Sequence, residues 1–66
     1  MNSTQYNALL SEMMSSFESP LTKDFMLDAM VRRWRLRIRR EFSMGHLTFE
    51  EYDDLLGYLN QYGFSN

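Results

Sequence analysis

Apolar side chains recur at helical spacing three times along the chain. Tyr6, Leu9, Leu10, Met13 and Phe17 fall at i, i+3, i+4, i+7 and i+11, a single stripe on a helix of 3.6 residues per turn. This predicts a first helix over about 3–18, capped by Asn2, Ser3 or Thr4. Ser19-Pro20 breaks it. The same pair also fits an N-cap followed by proline at the first position of the next helix. Thr22 competes as that cap, with Asp24 placed to meet the positive end of the helix dipole.

The second stripe is Leu27, Met30, Val31, Trp34, Ile38 and Phe42. It predicts a helix from Pro20 or Lys23 to about Met44, closed by Gly45 in the left-handed conformation. Within it, Arg33 to Arg39 alternates strictly between charged and apolar residues, which is also a strand signature. A strand is rejected because no other segment alternates to pair with it, and a lone strand leaves its backbone groups unsatisfied. The third helix starts at Thr48-Phe49-Glu50-Glu51, a capping box in which Thr48 and Glu51 satisfy each other's amides. Leu47 and Tyr52 supply the hydrophobic staple around it. Tyr52, Leu55, Leu56, Leu59 and Tyr62 form the third stripe and Gly63 the natural stop, giving a helix over about 49–62. Gly57 inside it costs about 1 kcal/mol relative to alanine and suggests a close helix approach. Short connections imply antiparallel neighbours. The expected fold is all-α, one small three-helix antiparallel bundle over 1–66, with Leu9, Met13, Trp34, Ile38, Leu55 and Leu59 in its core.

Sixty-six residues make one small domain. A chain of this size buries only roughly 60% of its unfolded surface, so its core is thin. Apolar residues make up 44% of the chain and aromatics 15%, too many for a disordered segment. Cysteine is absent, so neither disulfides nor a thiolate metal site is expected. The longest apolar run is three residues, far short of a membrane span. The N-terminus lacks the basic start and apolar stretch of a signal peptide. The expected compartment is the cytoplasm.

Charge changes the picture. The net charge is −2, yet six of the seven basic residues are arginines between Arg32 and Arg40. The other 57 residues carry one positive and nine negative charges, a net of −8, and residues 41–66 hold five acids and no lysine or arginine. One arginine patch therefore sits on an acidic body. Arginine suits planar, bidentate contact with carboxylate or phosphate. The simplest account of such a patch is a solvated helix face with internal ion pairs, which stabilise little at a surface.

The segment Phe42-Ser43-Met44-Gly45-His46-Leu47-Thr48-Phe49-Glu50-Glu51-Tyr52, followed by Leu55 and Leu59, resembles the short C-terminal (SHOCT-type) helical hairpin. In that family a helix ends at glycine, a threonine-capped turn follows, and a short amphipathic helix closes the hairpin. The resemblance covers residues 36–59. His46 stands where the family more often has an apolar residue, and Leu36 to Phe42 is richer in arginine. Similar hairpins occur in small proteins of phages and integrative elements. The resemblance implies a protein-interaction or oligomerisation module and brings no catalytic residues with it.

Candidate chemistry is sparse. The lone histidine, His46, falls in a predicted turn, and no nucleophile–histidine–carboxylate set is evident. Glu50, Glu51, Asp53 and Asp54 are expected on a solvated face opposite the apolar stripe, where paired catalytic carboxylates would need a cleft. No metal-ligand spacing is present, and neither a metal nor a cofactor is expected. The informative residue is Leu36. On a helix it falls nearly opposite the core stripe, with Arg32, Arg33, Arg39 and Arg40 at i±3 and i±4. Phe25 and Ala29 extend this second apolar side. A central helix with neighbours on two sides would place Phe25 in the core, but Leu36 ringed by charge fits a core poorly. An apolar centre with charged edges is the pattern of a protein-contact patch.

These features predict a non-enzymatic regulatory or adaptor protein that binds an acidic protein surface through Arg32, Arg33, Leu36, Arg39 and Arg40. A phage or mobile-element modulator of a host factor fits that description. Nucleic acid ranks second: the arginines suit phosphate, but the whole chain is acidic and the patch lacks lysine, asparagine and glutamine to read base edges. A membrane-surface helix ranks last, because the main apolar stripe is needed for the core. The arginine patch and the acidic third helix can pair within one chain or between chains, as in a homodimer.

Overall fold

The structure, a computed structural model, describes residues 3–63. Three helices make up an all-α bundle: α1 over Thr4–Phe17, α2 over Leu27–Ser43 and α3 over Phe49–Asn60, with a single 3-10 turn at Asp24–Met26 leading into α2. Asn2, one of the candidate caps, lies outside the described residues.

Local chemistry sets the ends of α1 and α3. Ser3 caps α1, its hydroxyl accepting from the Tyr6 amide at 3.1 Å. Thr48 caps α3: its hydroxyl accepts from the Glu51 amide at 3.1 Å, and its own amide donates to Glu51 Oε1 at 2.9 Å. Between them, Gly45 at φ 81° ends α2. The Gly45 amide donates to the Phe42 carbonyl and the His46 amide to the Glu41 carbonyl, both at 3.0 Å. These two bonds define a Schellman closure, which needs a residue tolerant of positive φ.

The start of α2 differs from expectation. Neither Ser19 nor Thr22 caps it. The Ser19 hydroxyl accepts from the Leu21 amide at 3.1 Å, making a local turn, and the Thr22 hydroxyl donates 2.5 Å to the Ser16 carbonyl near the end of α1. Both candidate caps serve the preceding helix and turn, so the chain enters α2 only through Asp24–Met26.

Consecutive helices run antiparallel, as short connections require. Contacts of Arg37 with Glu12 and of Gln5 with Glu41 align α1 against α2. Those of Ser3 with Glu51 and of Tyr58 with Glu18 show that α1 and α3 run parallel. Leu9, Met13, Val31, Ile38, Leu55 and Leu59 are fully buried where the helices meet. Tyr6, Phe17 and Leu47 close the core. Phe17 stacks on Tyr62 and Phe42 on Tyr52, each with ring centroids 4.4 Å apart, sealing the two ends of α3.

Four expected placements are corrected. Trp34 is only half-buried, at the edge of α2 that faces α1. Phe25 is 85% exposed, because it sits in the 3-10 turn before α2, beyond the reach of the neighbouring helices. Gly63 is not the stop of α3, which ends at Asn60; a Cβ on Gly63 would stand 3.2 Å from Val31 Cγ2, so this glycine admits the valine. Gly57 serves no close approach inside the chain, since a Cβ there would meet nothing within 4 Å.

Candidate functional site

The four sides of α2 do different things. One enters the core through Val31 and Ile38. The side facing α3 carries Phe42 and Arg35, whose guanidinium reaches Asn60 at 3.4 Å. The side facing α1 carries Trp34 and Arg37; the Arg37 guanidinium lies 5.1 Å over the Trp34 ring and 3.0 Å from Glu12. This ion pair is half exposed and worth at most about 1 kcal/mol, but with the ring contact it fixes the direction of Arg37.

The outer side carries Leu36, 65% exposed, with Arg32, Arg33, Arg39 and Arg40 all exposed beside it. These four arginines make no ion pair with any described residue. Between this side and α1 runs an open groove of about 740 Å³, lined by Met30, Trp34 and Leu36, by Arg33, Arg37 and Arg40, and by Ser16 of α1. The structure thus brings Arg33, Leu36 and Arg40 into one groove and leaves Arg32 and Arg39 on the far flank of Leu36. It adds Arg37, Met30, Trp34 and Ser16, which the sequence reading did not assign to the site. A signal for Arg37 was present: Arg33, Leu36, Arg37 and Arg40 fall at i, i+3, i+4 and i+7, a helical stripe in its own right.

The acids of α3 are not one solvated face. Glu51 is 6% exposed. It accepts from the Ser3 amide at 2.7 Å and the Thr48 amide at 2.9 Å, and these bonds hold its carboxyl below the ordinary carboxylate value. Asp54 accepts from the Tyr6 hydroxyl; that bond foremost, then burial and the Asp54 charge, pushes Tyr6 up to about 12. Burial foremost, then bonds to Tyr62 and Glu18, raises Tyr58. Asp54, though exposed, is held by Tyr6, whereas the exposed Glu50 and Asp53 have neither an ion pair nor a side-chain hydrogen bond to a described residue. Neither forms an ion pair with the arginine patch of its own chain. His46 Nδ1 lies 2.7 Å from Glu41 Oε1, and this bond foremost lowers the Glu41 carboxyl.

A second groove, about 590 Å³, lies between α1 and α3. Its floor is Leu10, Met14, Gly57 and Tyr58, and Asp53 and Asp54 stand at its edge. Among the described residues, no group of three or more histidine, aspartate or glutamate side chains could hold a metal ion. None of their helices is long and apolar enough to cross a membrane.

The fold and groove define a small three-helix protein with an arginine-lined cleft. A scan against protein-family models finds no match, and searches of curated proteins and of solved structures also find none. The likeness of residues 36–59 to the short C-terminal hairpin therefore rests on its own residues.

Proposed function

We propose that the chain is a non-catalytic adaptor or regulatory protein that binds an acidic protein surface in the groove between α1 and α2. One observation carries this reading: an exposed leucine, Leu36, stands among Arg32, Arg33, Arg39 and Arg40, none of which has a carboxylate partner among the described residues. Unpaired arginines are free to take carboxylates in bidentate geometry. Leu36, Trp34 and Met30 provide apolar surface whose burial drives association, roughly 25 cal/mol per Å² removed from water. Arginine and tryptophan are also the side chains that most often dominate binding energy at interfaces.

The test is affinity capture from a nuclease-treated lysate with the wild-type chain and Leu36→Glu. The expected result is a protein held by the wild type and lost by the variant, with the thermal midpoint unchanged because Leu36 lies off the core. If Leu36→Glu unfolds the chain, the leucine is structural and the reading falls.

Nucleic acid is the second reading, favoured by the row of Arg33, Arg37 and Arg40 along one groove wall. Phosphate binding would lose affinity with salt by about one logarithmic unit of slope per contact, arginine by arginine, and Leu36→Ala would matter little.

A further inference from the structure

Two exposed charged surfaces of this chain are complementary, and apart from Arg37, which Glu12 meets at 3.0 Å, their charged side chains form no ion pair with a described residue. The α2 row Arg33, Arg37 and Arg40 edges the exposed Leu36. On α3, Glu50 and Asp53 are exposed without an ion pair to a described residue. One turn beyond Asp53 stands Gly57, an interior helix position where glycine weakens the helix. Nothing inside the chain requires it, because a Cβ there would meet no atom within 4 Å. Its effect is external: it lowers the floor of the groove that Leu10 and Met14 line. An apolar trough edged by carboxylates is the counterpart of an apolar ridge edged by arginines.

We propose that the occupant of the α2 groove is a second copy of this chain, which presents the Glu50–Asp53–Gly57 edge of its α3. The inference rests on reading that groove as a protein-binding surface, and it names the partner. Arg33, Arg37 and Arg40 fall at i, i+4 and i+7, and Glu50, Asp53 and Gly57 at i, i+3 and i+7. Both rows run two turns along one helix, about 10 Å at 1.5 Å per residue, so they match in length. Leu36 seats over Gly57, where the missing Cβ admits it, and the arginines reach Asp53 and Glu50. Charge favours a copy of the same chain: residues 32–40 carry six arginines, while the remaining 57 residues sum to −8. The contact joins unlike surfaces on two different helices, so each docked copy still offers one face of each kind. Such heterologous contacts grow into rings or short chains with concentration.

The test is sedimentation velocity on the full chain at increasing concentration. Wild type is expected to at least double in mass between micromolar and millimolar concentration at low salt. It should return to monomer in about 1 M salt, where screening shortens to about 3 Å. Leu36→Glu blocks the arginine face. The double change Glu50→Lys, Asp53→Lys blocks the α3 face, and Gly57→Arg blocks it independently while favouring the helix. Each is expected to be monomeric alone with an unchanged helical spectrum. An equimolar mixture of Leu36→Glu with either α3 variant restores association and stops at the dimer, because each copy keeps one working face. A wild type that stays monomeric at millimolar concentration, single-face variants that still associate, or a mixture that stays monomeric each overturn the inference. A monomeric wild type whose captured partner is lost on Leu36→Glu would overturn self-association alone; if the capture is also insensitive to Leu36, the reading of the groove fails with it.

Discussion

The backbone amide of Ser3 donates to Glu51 Oε2 at 2.7 Å, across 48 positions of sequence. The other oxygen of the same carboxylate takes the Thr48 amide. One side chain therefore completes the N-terminal caps of both α1 and α3. The two helices begin side by side and run parallel, with the negative charge held at the positive ends of both dipoles. A buried carboxylate is tolerated because charge-assisted bonds replace its water.

Stability should fall in acid through this group. The Ser3 amide first and the Thr48 amide second lower the folded pKa of Glu51 from 4.5. Its contribution is therefore complete above the ordinary carboxylate value and lost as pH drops through the lower folded one. Glu41, lowered chiefly by its bond to His46, adds to the same limb. Urea denaturation at neutral and acid pH should show Glu51→Gln less stable than wild type at neutrality, with a shallower loss toward acid. Parallel curves for the two chains would exclude Glu51 as the source.

Tyr6 acts at the other end of the pH scale. Its bond to Asp54 foremost raises its pKa from 10.0 to about 12. The stabilisation is thus complete below the ordinary tyrosine value and disappears as pH rises through about 12. Phenolate absorbance should show two late-titrating groups, Tyr6 and Tyr58, and only the latter in Tyr6→Phe; the variant should also lose less stability between neutrality and strong alkali than wild type does.

Large side chains should divide sharply by position. Leu55 is fully buried and Leu55→Ala should cost about 2–5 kcal/mol, enough to threaten a domain of this size. Phe25→Ala, at an exposed position, should change stability by no more than about 0.5 kcal/mol. Chemical denaturation of the two variants measures both values.

Gly45 after α2 and Gly57 within α3 should respond in opposite directions. Gly45→Ala forces a side chain into a positive φ and should destabilise by about 1 kcal/mol, although space for the methyl is open. Gly57→Ala meets no neighbour in a helix interior and should stabilise by about 0.5–1 kcal/mol. Thermal melts of the two variants should shift on opposite sides of wild type.

The candidate site was half legible. Leu36 opposite the core stripe, with arginines one turn away on either side, follows from 100° per residue. That geometry is symmetric about Leu36, so it gives Arg32 and Arg39 the same standing as Arg33 and Arg40. The position of α1 breaks the symmetry. It packs along the Trp34 edge and makes a groove of one flank only, and Glu12 draws Arg37 into that groove.

The sequence by itself determined the three helices, the Thr48–Glu51 box and the Gly45 closure. Each depends on groups within a few residues of one another, so local geometry settles them before the chain assembles. Only the tertiary structure decided where α2 begins, because the Thr22 hydroxyl is taken by the Ser16 carbonyl of α1. It also decided that Glu51 is buried while Phe25 is exposed. A hydrophobic pattern places a side chain on a face of its own helix. What that face meets depends on partners up to 48 residues away, and these are chosen when three helices share one thin core.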